Sequence, residues 1–344
     1  MTRDIRFGNI VISDSAPVVV IAEAACEHRG DLDEAKRLVD LAKEAGADVI
    51  KFQLHLPEEE MIPNSIRFWA GSMDEVLARV NLPAKDHAVL MQHCKAVGIQ
   101  YLCTPFCAKA ADILDELGLE AFKTGSGEMT NIPMLRHIAR KGKPMIVSTG
   151  MAWADEIQET VAALRKERAQ FMLMNCTSAY PPRSEEVKLG FIPVMRQMFK
   201  TLVGYSDHAT DMWAVLGAVA MGAKVIEKHF TPDRSLKGPD HFISLEPKEF
   251  RTMIDAIRKL EAALGADKKV HAGEEEVRRW AHHSVVTLCD IQAGAKITSE
   301  MVGVKRPGWG VPAKHLEEFH GRIAARDIPA NSLLGWEDVE GGAA

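Results

Sequence analysis

At residues 201–230 the chain reads TLVGYSDHATDMWAVLGAVAMGAKVIEKHF. Two apolar runs, residues 201–208 and 223–230, flank an alanine-rich stretch of helical character, which predicts a strand–helix–strand unit. His208 lies at the end of the first run and His229 near the end of the second. Two imidazoles that leave neighbouring strands can bind one divalent metal, whereas a single strand-end histidine is more often a structural hydrogen-bonding group.

The same alternation of short apolar runs and amphipathic stretches continues through most of the chain. Six further candidate strands lie at residues 18–24, 47–53, 100–106, 121–127, 144–151 and 171–178. Several of the helical stretches between them end at a glycine, as expected of a C-terminal cap: Gly46, Gly98, Gly118, Gly142 and Gly222. Eight such units over about 250 residues predict a closed (β/α)₈ barrel. A doubly wound open sheet is the alternative, but no Gly-rich dinucleotide loop follows the first strand.

The composition changes after the long helical pattern at residues 247–265. Residues 266–280 are charged and poorly periodic, which indicates a linker. We therefore predict three segments: a barrel domain at 1–265, a linker at 266–282 and a small, mostly β domain at 283–344. Within the small domain, DIQAGAKIT (290–298) and DIPANSLLG (327–335) resemble two copies of one turn-and-strand unit.

The overall charge and apolar content exclude several classes of protein. The formal net charge is −6 and no basic stripe is present, which argues against nucleic-acid binding. No apolar run approaches the roughly 18–20 residues that span a bilayer, and the first residues do not read as a secretory signal. The six cysteines do not form a disulfide framework in a chain of this length. We expect a cytoplasmic protein with reduced thiols and no membrane partner.

Polar and ionisable residues follow nearly every predicted strand. They are Glu23, Lys51, Gln53, Thr104, Lys123, Ser126, Glu128, Ser148, Thr149, Asn175, Thr177, Ser178, Tyr180, Ser206, His208, Glu227, Lys228 and His229. Any one of them has an ordinary structural explanation, but the whole set indicates an active site at the carboxyl ends of the barrel strands. The lysines and hydroxyls suit a phosphate, and the GSGE turn at 125–128 also favours an anion. The carboxylates, with Asp240, suit hydroxyl binding or proton transfer.

The chain resembles the bacterial-type sialic acid (nonulosonic acid) synthases. The matching stretches are IAEAACEHRGDLDEAKRL, GADVIKFQ, FKTGSGEMTNIPML, GKPMIVSTGMA, CTSAYP, VGYSDH, GAKVIEKHFT, GPDHFISLEP and VKRPGWG, and they cover almost the whole chain. The resemblance implies a (β/α)₈ barrel followed by a small antifreeze-like (SAF) domain. It also implies a domain-swapped homodimer, in which the small domain of one subunit covers the barrel of the other.

The resemblance further implies a metal-dependent transferase. Phosphoenolpyruvate would condense with an N-acyl hexosamine, either N-acetylmannosamine or a 2,4-diacetamido-trideoxyhexose, to give a nine-carbon acid and phosphate. The phosphoenolpyruvate site would comprise Lys51, Thr104, Lys123, Ser126, Ser148, Ser178 and Ser206. His208 and His229 would bind Mn²⁺, or another divalent cation such as Mg²⁺ or Co²⁺. The sugar would contact Glu23, Gln53, Tyr180, Asp240 and, from the partner subunit, Arg306.

The sequence does not decide the exact roles of several of these residues. We expect Glu23, Lys51, Lys123 and Glu128 to be catalytic, with Glu128 transferring a proton or stabilising a cationic centre. The family commonly has Asn-His after its first strand, whereas this chain has Glu27-His28. Glu27 either changes the accepted sugar substituents or pairs with Arg29.

Two alternative functions remain at this stage. One is a synthase of eight- or seven-carbon acids, of the KDO or DAHP type. The other is a non-catalytic carbohydrate-binding protein. The sequence does not choose among sialic, legionaminic and pseudaminic products.

Overall fold

A computed structural model describes residues 4–68, 71–236, 238 and 240–341. The chain divides into two compact units, residues 1–265 and 266–344. In the parts of the chain that are described, no helix has the length and apolarity to cross a membrane.

Eight parallel strands close into a barrel in the first unit. In chain order, β1 to β8 are Val19–Ala25, Val49–Leu54, Gln100–Pro105, Phe122–Thr124, Met145–Ser148, Phe171–Cys176, Val203–Asp207 and Val225–His229. Closure is visible where β8 pairs with β1, because His229 lies opposite Glu23. Most residues of these strands are buried, which explains their continuous apolar runs. The predicted barrel and all of its predicted strands are confirmed.

A helix follows each strand. Helices α1 to α8 are Leu32–Ala45, Ala84–Val97, Ala108–Glu116, Ile132–Ala139, Ala154–Lys166, Phe191–Phe199, Trp213–Ala220 and Pro247–Ala263. Gly46 and Gly98 cap the C-terminal ends of α1 and α2 in the left-handed conformation, with φ of 92° and 76°. The connection between β2 and α2 is the longest in the first half of the barrel. It contains two short helices, Pro57–Glu60 and Met73–Val80. It also contains a small antiparallel strand pair, Arg67–Phe68 with Gly71–Ser72.

The amino-terminal end of the barrel is filled by apolar side chains. A hairpin of Ile5–Phe7 and Ile10–Ile12 precedes β1. Its buried Ile and Phe side chains form one cluster with barrel residues such as Ile21 and Met172. The hairpin was not among the predicted elements, because its strands are only three residues long. Its packing leaves the polar chemistry at the opposite, carboxyl end of the strands.

Strand register brings polar residues together at that carboxyl end. Glu23 on β1 is the register partner of both Lys51 on β2 and His229 on β8. Gln53 on β2 lies opposite Thr104 on β3 in the same way. Residues that are far apart in sequence thus become neighbours through strand pairing alone.

The second unit contains a helix, Ala272–Ala281, and one antiparallel strand pair, Ser284–Thr287 with Val302–Lys305. The helix lies in the segment predicted to be a linker, so the linker is not an irregular chain. Its charges suit a helix, because glutamates occupy the first turn and Arg278 and Arg279 the last. The core of this unit includes Val285, Ile297 and Phe319, and short 3₁₀ helices lie at Ala313–Phe319 and Trp336–Asp338.

The two similar segments of the second unit pair with each other. The backbone N–H and carbonyl groups of Ile291 and Ile328 exchange hydrogen bonds of 2.9 and 2.8 Å. Around them, Asp290 accepts a bond from Ala330 N–H and Asp327 accepts one from Ala293 N–H. The resemblance between the segments therefore corresponds to a reciprocal contact in the fold.

Candidate active site

A cavity of about 300 Å³ opens at the carboxyl ends of the barrel strands. Nearly all of the predicted site residues line it: Glu23, Lys51, Gln53, Thr104, Lys123, Ser126, Ser148, Ser178, Tyr180, Ser206, His208, His229 and Asp240. Phe106, Cys176 and Glu227 also line this cavity. The structure therefore brings side chains from all parts of the barrel to one place.

The two lysines are buried in the wall of the cavity. Lys51 Nζ lies 2.6 Å from Glu23 Oε2 and donates a hydrogen bond to Thr104 at 3.2 Å. Lys123 Nζ donates to Ser148 Oγ at 2.6 Å and to the Thr124 carbonyl at 3.0 Å. Lys123 has uncharged hydrogen-bond partners, so of the two lysines it is the one better placed to bind an anion.

Glu227 lies between these lysines. Its Oε1 is 3.6 Å from Lys51 Nζ and 3.7 Å from Lys123 Nζ, and it accepts a bond from Ser206 Oγ at 3.1 Å. Burial alone would raise the pKa of Glu227, but the charges of Lys123 and Lys51 outweigh it and lower this pKa. Burial likewise opposes the charge of Lys51, whose pKa is nevertheless raised by Glu227 and Glu23. For Lys123 burial dominates and lowers the pKa, so a bound anion would stabilise its charged form.

Glu23 is held from two sides. One oxygen faces Lys51, and the other accepts a hydrogen bond from the Gln53 amide at 2.9 Å. Burial raises the pKa of Glu23, and the charge of Lys51 and the bond from Gln53 oppose this rise. A buried carboxylate with fixed donors on both oxygens is suited to bind a hydroxyl or to exchange a proton.

Ser126, Gly150 and Ser178 form a narrow part of the cavity wall. The backbone N–H of Gly150 donates to Ser126 Oγ at 3.1 Å. A Cβ atom at Gly150 would overlap Ser178 Oγ and lie 2.6 Å from Ser126 Oγ. A larger residue at position 150 would therefore displace one or both hydroxyl groups from the backbone.

His208 and His229 lie next to each other, with ring centroids 5.4 Å apart. The Nδ1–H of His208 donates to the Thr177 carbonyl at 2.7 Å, so the neutral ring has its lone pair on Nε2. Burial opposes the charge of His208, but Cys176 and the Thr177 carbonyl raise its pKa, so a metal would have to displace a proton from the charged ring. His229 Nδ1 is buried and has no hydrogen-bond partner. Burial, together with the charge of His208, lowers the pKa of His229 well below the ordinary value. Both rings thus fit the requirements of a metal ligand.

Two further predicted residues, Tyr180 and Asp240, lie beside the two histidines. The Tyr180 ring stacks on His208 with centroids 4.0 Å apart, and Asp240 Oδ2 lies 3.8 Å from His229 Nδ1. Burial, and next the charges of Glu27 and Glu23, raise the pKa of Asp240 to about 7. Among the described residues, no group of three or more His, Cys, Asp or Glu side chains is arranged to hold a metal. A metal on the two histidines would therefore take its remaining ligands from substrate or water.

The structure does not bring Glu128 into the cavity. Glu128 ends the 3₁₀ turn Ser126–Glu128 and accepts a bond from Asn131, so it lines a neighbouring cavity of about 450 Å³. Burial raises the pKa of Glu128. Phe106 lines both cavities. Arg306 belongs to the second unit, where it is exposed and donates to the Ala281 carbonyl at 3.0 Å.

Glu27 does not pair with Arg29. Its carboxylate is buried and lies 2.5 Å from His241 Nδ1. Arg29 is exposed and has a left-handed backbone conformation, with φ of 53°. The residues next to Glu27 in the sequence give no indication that Glu27 pairs with His241.

The predicted set omitted two titratable residues that line the cavity. One is Glu227, which was recognised at a strand end but assigned no role. Strand alternation would have identified it, because Glu227 lies two residues before His229 and so faces the same side. The other is Cys176, whose Sγ lies 3.5 Å from Ser126 Oγ and 4.0 Å from His208 Nδ1. No sequence signal distinguished this cysteine from the other five.

Comparisons with known proteins identify the family to which the chain belongs. The NeuB family matches residues 38–269 and the SAF domain matches residues 282–340. An N,N'-diacetyllegionaminic acid synthase of Campylobacter jejuni is 38% identical over 328 residues, covering 92% of this chain and 98% of the relative. A human N-acetylneuraminate-9-phosphate synthase is 35% identical over 298 residues, covering 84% and 83%.

A solved structure is also similar. The N-acetylneuraminic acid (sialic acid) synthetase of Leptospira borgpetersenii, in complex with citrate, is 35% identical with a TM-score of 0.73, covering 80% of this chain and 95% of that one. The matched family model covers more than half of the chain and includes seven of the eight barrel strands. The chain therefore belongs to the NeuB family and has a SAF domain after its barrel.

Proposed function

We propose that this protein condenses phosphoenolpyruvate with the open-chain form of an N-acyl hexosamine, releasing phosphate and a nine-carbon 2-keto sugar acid. The observation that carries the proposal is the arrangement of Lys51, Lys123, Glu23 and the two histidines around one cavity of a NeuB-family barrel. The names of the similar proteins support the same class of reaction.

The side of the cavity with the lysines suits phosphoenolpyruvate. Lys123 supplies a buried positive charge whose bonds go to neutral oxygens. Ser126, with the N–H of Gly150 behind it, adds a neutral donor, and further hydroxyls line the same wall. Buried donors of this kind bind a phosphate or a carboxylate more strongly than exposed ones do.

The neighbouring part of the cavity suits a polyhydroxylated acceptor. Glu23 and Gln53 present a carboxylate and an amide that are fixed by hydrogen bonds. Tyr180 and Asp240 lie next to the histidines and offer an aromatic face and an acidic group. The aldehyde of the acceptor would lie near His208 and His229.

The proposed chemistry follows from these positions. A divalent cation on His208 and His229, when bound, would polarise the aldehyde. C3 of phosphoenolpyruvate then forms a bond to the aldehyde carbon, and water adds to C2 to give a hemiketal phosphate. Cleavage of the C2–O bond releases phosphate and leaves the 2-keto acid. Glu23 is the buried carboxylate placed to take up a proton in this sequence, and the lysines stabilise the charge on the departing phosphate.

We propose Mn²⁺ as the cation, with Mg²⁺ or Co²⁺ as substitutes. Binding can be measured without turnover, by calorimetry with Mn²⁺ alone. Asn in place of His229 should abolish binding, whereas His320→Gln, which changes an exposed histidine of the second unit, should not. Equal binding by His229→Asn would contradict the metal assignment.

The activity itself can be tested directly. The assay supplies phosphoenolpyruvate, Mn²⁺ and either N-acetylmannosamine or a diacetamido-trideoxyhexose, and measures phosphate and product mass. We expect a chelator to stop phosphate release and Mn²⁺ to restore it. Failure of every N-acyl hexose to release phosphate would defeat the proposal. Turnover of a five- or four-carbon sugar phosphate instead would favour the alternative synthases of eight- or seven-carbon acids.

We also propose that the protein works as a domain-swapped homodimer, in which Arg306 of one subunit binds the N-acyl group in the barrel of the other. Its guanidinium is exposed in the single chain, which suits a contact with another molecule. Mixing an Arg306→Ala variant with a Lys123→Met variant should restore part of the activity, because one barrel of the mixed dimer then has every residue. Absence of any recovery, with dimers present by light scattering, would contradict the swap.

A further inference from the structure

The carboxyl group of Glu27 is buried where the loop after β1, residues 26–31, meets the loop after β8, residues 230–246. Its side chain is 0% exposed, and Glu27 Oε2 lies 2.5 Å from His241 Nδ1. Glu27 is not among the residues that line the active-site cavity. Any effect of Glu27 on the reaction must therefore act through another residue.

The contact between Glu27 and His241 does not depend on which of the two groups is charged. Two unprotonated lone pairs would repel each other at 2.5 Å, so a proton lies between Oε2 and Nδ1. His241 donates this proton when Glu27 is ionised, and Glu27 donates it when the carboxyl group is neutral. Burial raises the pKa of Glu27, and the hydrogen bond from His241 opposes this rise. In both charge states the contact joins the same two atoms.

The His241 ring is an anchor of the loop after β8. It is fully buried, and its Nδ1 also lies 2.7 Å from Thr231 Oγ1, near the start of that loop. The backbone of Gly238 packs directly against the ring, because a Cβ atom at Gly238 would lie 2.5 Å from His241 Cδ2. Two separate parts of the loop therefore contact this ring, and Glu27 joins the ring to the loop after β1.

Asp240 directly precedes His241 and, unlike His241, lines the cavity. Its Oδ2 lies 3.8 Å from His229 Nδ1. The backbone carbonyl of Asp240 accepts hydrogen bonds from Ser244 Oγ at 2.8 Å and from Ile243 N–H at 3.2 Å. These bonds close a 3₁₀ turn over His241–Ile243, with Asp240 at its start. A shift of the His241 ring would therefore move the Asp240 carboxyl group in the cavity.

We propose that Glu27 is a positioning residue that holds His241 and, through the turn that they share, places the carboxyl group of Asp240 against the acceptor sugar. This role deepens the proposed function, since it rests on Asp240 binding the acceptor. Without Glu27 the His241 ring keeps its contact with Thr231 but loses its link to the loop after β1. The effect is confined to the acceptor, because the two lysines of the cavity have hydrogen-bond partners outside this turn.

The link can be measured without any activity, by hydrogen exchange with mass spectrometry. Glu27→Leu fills the space of the side chain but removes the contact, so the backbone N–H groups of residues 243–245, which donate within the turn and to β8, should exchange at least about fivefold faster. Glu27→Gln keeps a hydrogen-bonding group at the same place and should exchange as slowly as the unchanged protein. The exchange of α5 should be the same in all three proteins. Equal exchange of residues 243–245 in Glu27→Leu and the unchanged protein would overturn the inference, even if the synthase activity were confirmed.

Kinetics provide the second arm. A displaced side chain in the acceptor site should lower kcat/KM for the acceptor about 10- to 100-fold in Glu27→Leu, with the KM for phosphoenolpyruvate unchanged. Glu27→Gln should stay within about fivefold of the unchanged protein. Glu34→Leu is the matched control, because Glu34 lies on α1 and pairs with Arg37 at 3.5 Å, and it should change kcat/KM by less than about twofold. If Glu27→Leu does not fold, Glu27→Asp tests the same point, since it keeps the carboxyl group but shortens the side chain by one CH₂ group.

Asp240→Ala separates this inference from the proposed function. Asp240→Ala should lower kcat/KM for the acceptor, and adding Glu27→Leu to it should cause little further loss, because both changes act on one carboxyl group. If Asp240→Ala leaves kcat/KM unchanged, then Asp240 does not bind the acceptor, and that assignment fails together with the inference. If Asp240→Ala lowers it but Glu27→Leu does not, or if Glu27→Leu raises the KM for both substrates alike, the positioning role is overturned while the proposed function stands.

Discussion

The turn that carries His208 depends on a buried ion pair. Lys228 Nζ donates to Asp207 Oδ2 at 2.6 Å, and both side chains are fully buried. Asp207 Oδ1 accepts further bonds from the Tyr205 hydroxyl at 2.8 Å and from Ala209 N–H at 3.3 Å. Because Asp207 directly precedes His208 and Lys228 directly precedes His229, the pair joins the two strands that supply the predicted metal ligands.

Asp207→Asn removes the negative charge with little change of shape. Lys228 would then be a buried cation without a counter-charge, and the loss of one partner of a buried pair costs about 3–5 kcal/mol. At about 2.1 cal/mol/K of unfolding entropy per residue, such a loss in the barrel unit, residues 1–265, corresponds to a fall in Tm of about 5–9 °C. The measurement is thermal unfolding followed by circular dichroism, together with calorimetric titration of Mn²⁺, whose affinity should also fall.

Two comparisons make this test decisive. Asp33→Asn breaks an exposed pair, since Asp33 is 93% exposed and lies 3.4 Å from Lys36, and it should change the free energy of unfolding by less than about 1 kcal/mol. Replacing both Asp207 and Lys228 by apolar residues should recover much of the loss, because no uncompensated charge remains. A change in Tm no larger than that of Asp33→Asn would refute the reasoning.

Three further outcomes can be measured. Gly150→Ala should leave the circular dichroism spectrum unchanged but raise the KM for phosphoenolpyruvate at least about tenfold, because its methyl group would fill the space beside the Ser126 hydroxyl. A normal KM would contradict the proposed contact between Ser126 and phosphoenolpyruvate. Burial lowers the pKa of both His28 and His87 to about 4, whereas an unfolded histidine titrates near 6.5. Between these values the unfolded chain binds the extra protons, so the free energy of unfolding should fall with pH below about 6.5, by about 1.4 kcal/mol for each ring at pH 5.5. Urea unfolding at pH 7.5, 6.5 and 5.5 tests this, and an equally steep pH dependence in His87→Asn would exclude His87 as a source. Lys123→Met should abolish phosphate release while Mn²⁺ still binds; loss of both together would place the lysine at the metal rather than at the phosphate.

Much of the barrel could be predicted because its signals are local. Each strand is a short run of buried apolar residues, and the glycines at positions such as Gly46 supply the left-handed conformation that ends a helix. Polar residues at the strand ends, among them Lys51 and His229, could then be placed at one end of the barrel by topology alone.

The remaining features depend on contacts that a linear pattern does not contain. Glu27 pairs with His241, which is more than two hundred residues away in sequence. Glu128 lies in the predicted turn, but the turn of the 3₁₀ helix directs its side chain to Asn131 instead of the main cavity. Long-range pairing and side-chain orientation are therefore what the structure adds.

The amino-terminal hairpin has a kinetic consequence. The buried side chains of this hairpin, Ile5, Phe7, Ile10 and Ile12, pack into the amino-terminal end of the barrel. They therefore close the cavity at that end. Lys123 is 2% exposed, whereas Tyr180 is 46% exposed, so the lysine lies deeper than the tyrosine. A ligand at the lysines must enter before a ligand at Tyr180 and must leave after it. Initial-rate experiments should therefore show an ordered addition of the two substrates, with the phosphorylated one first.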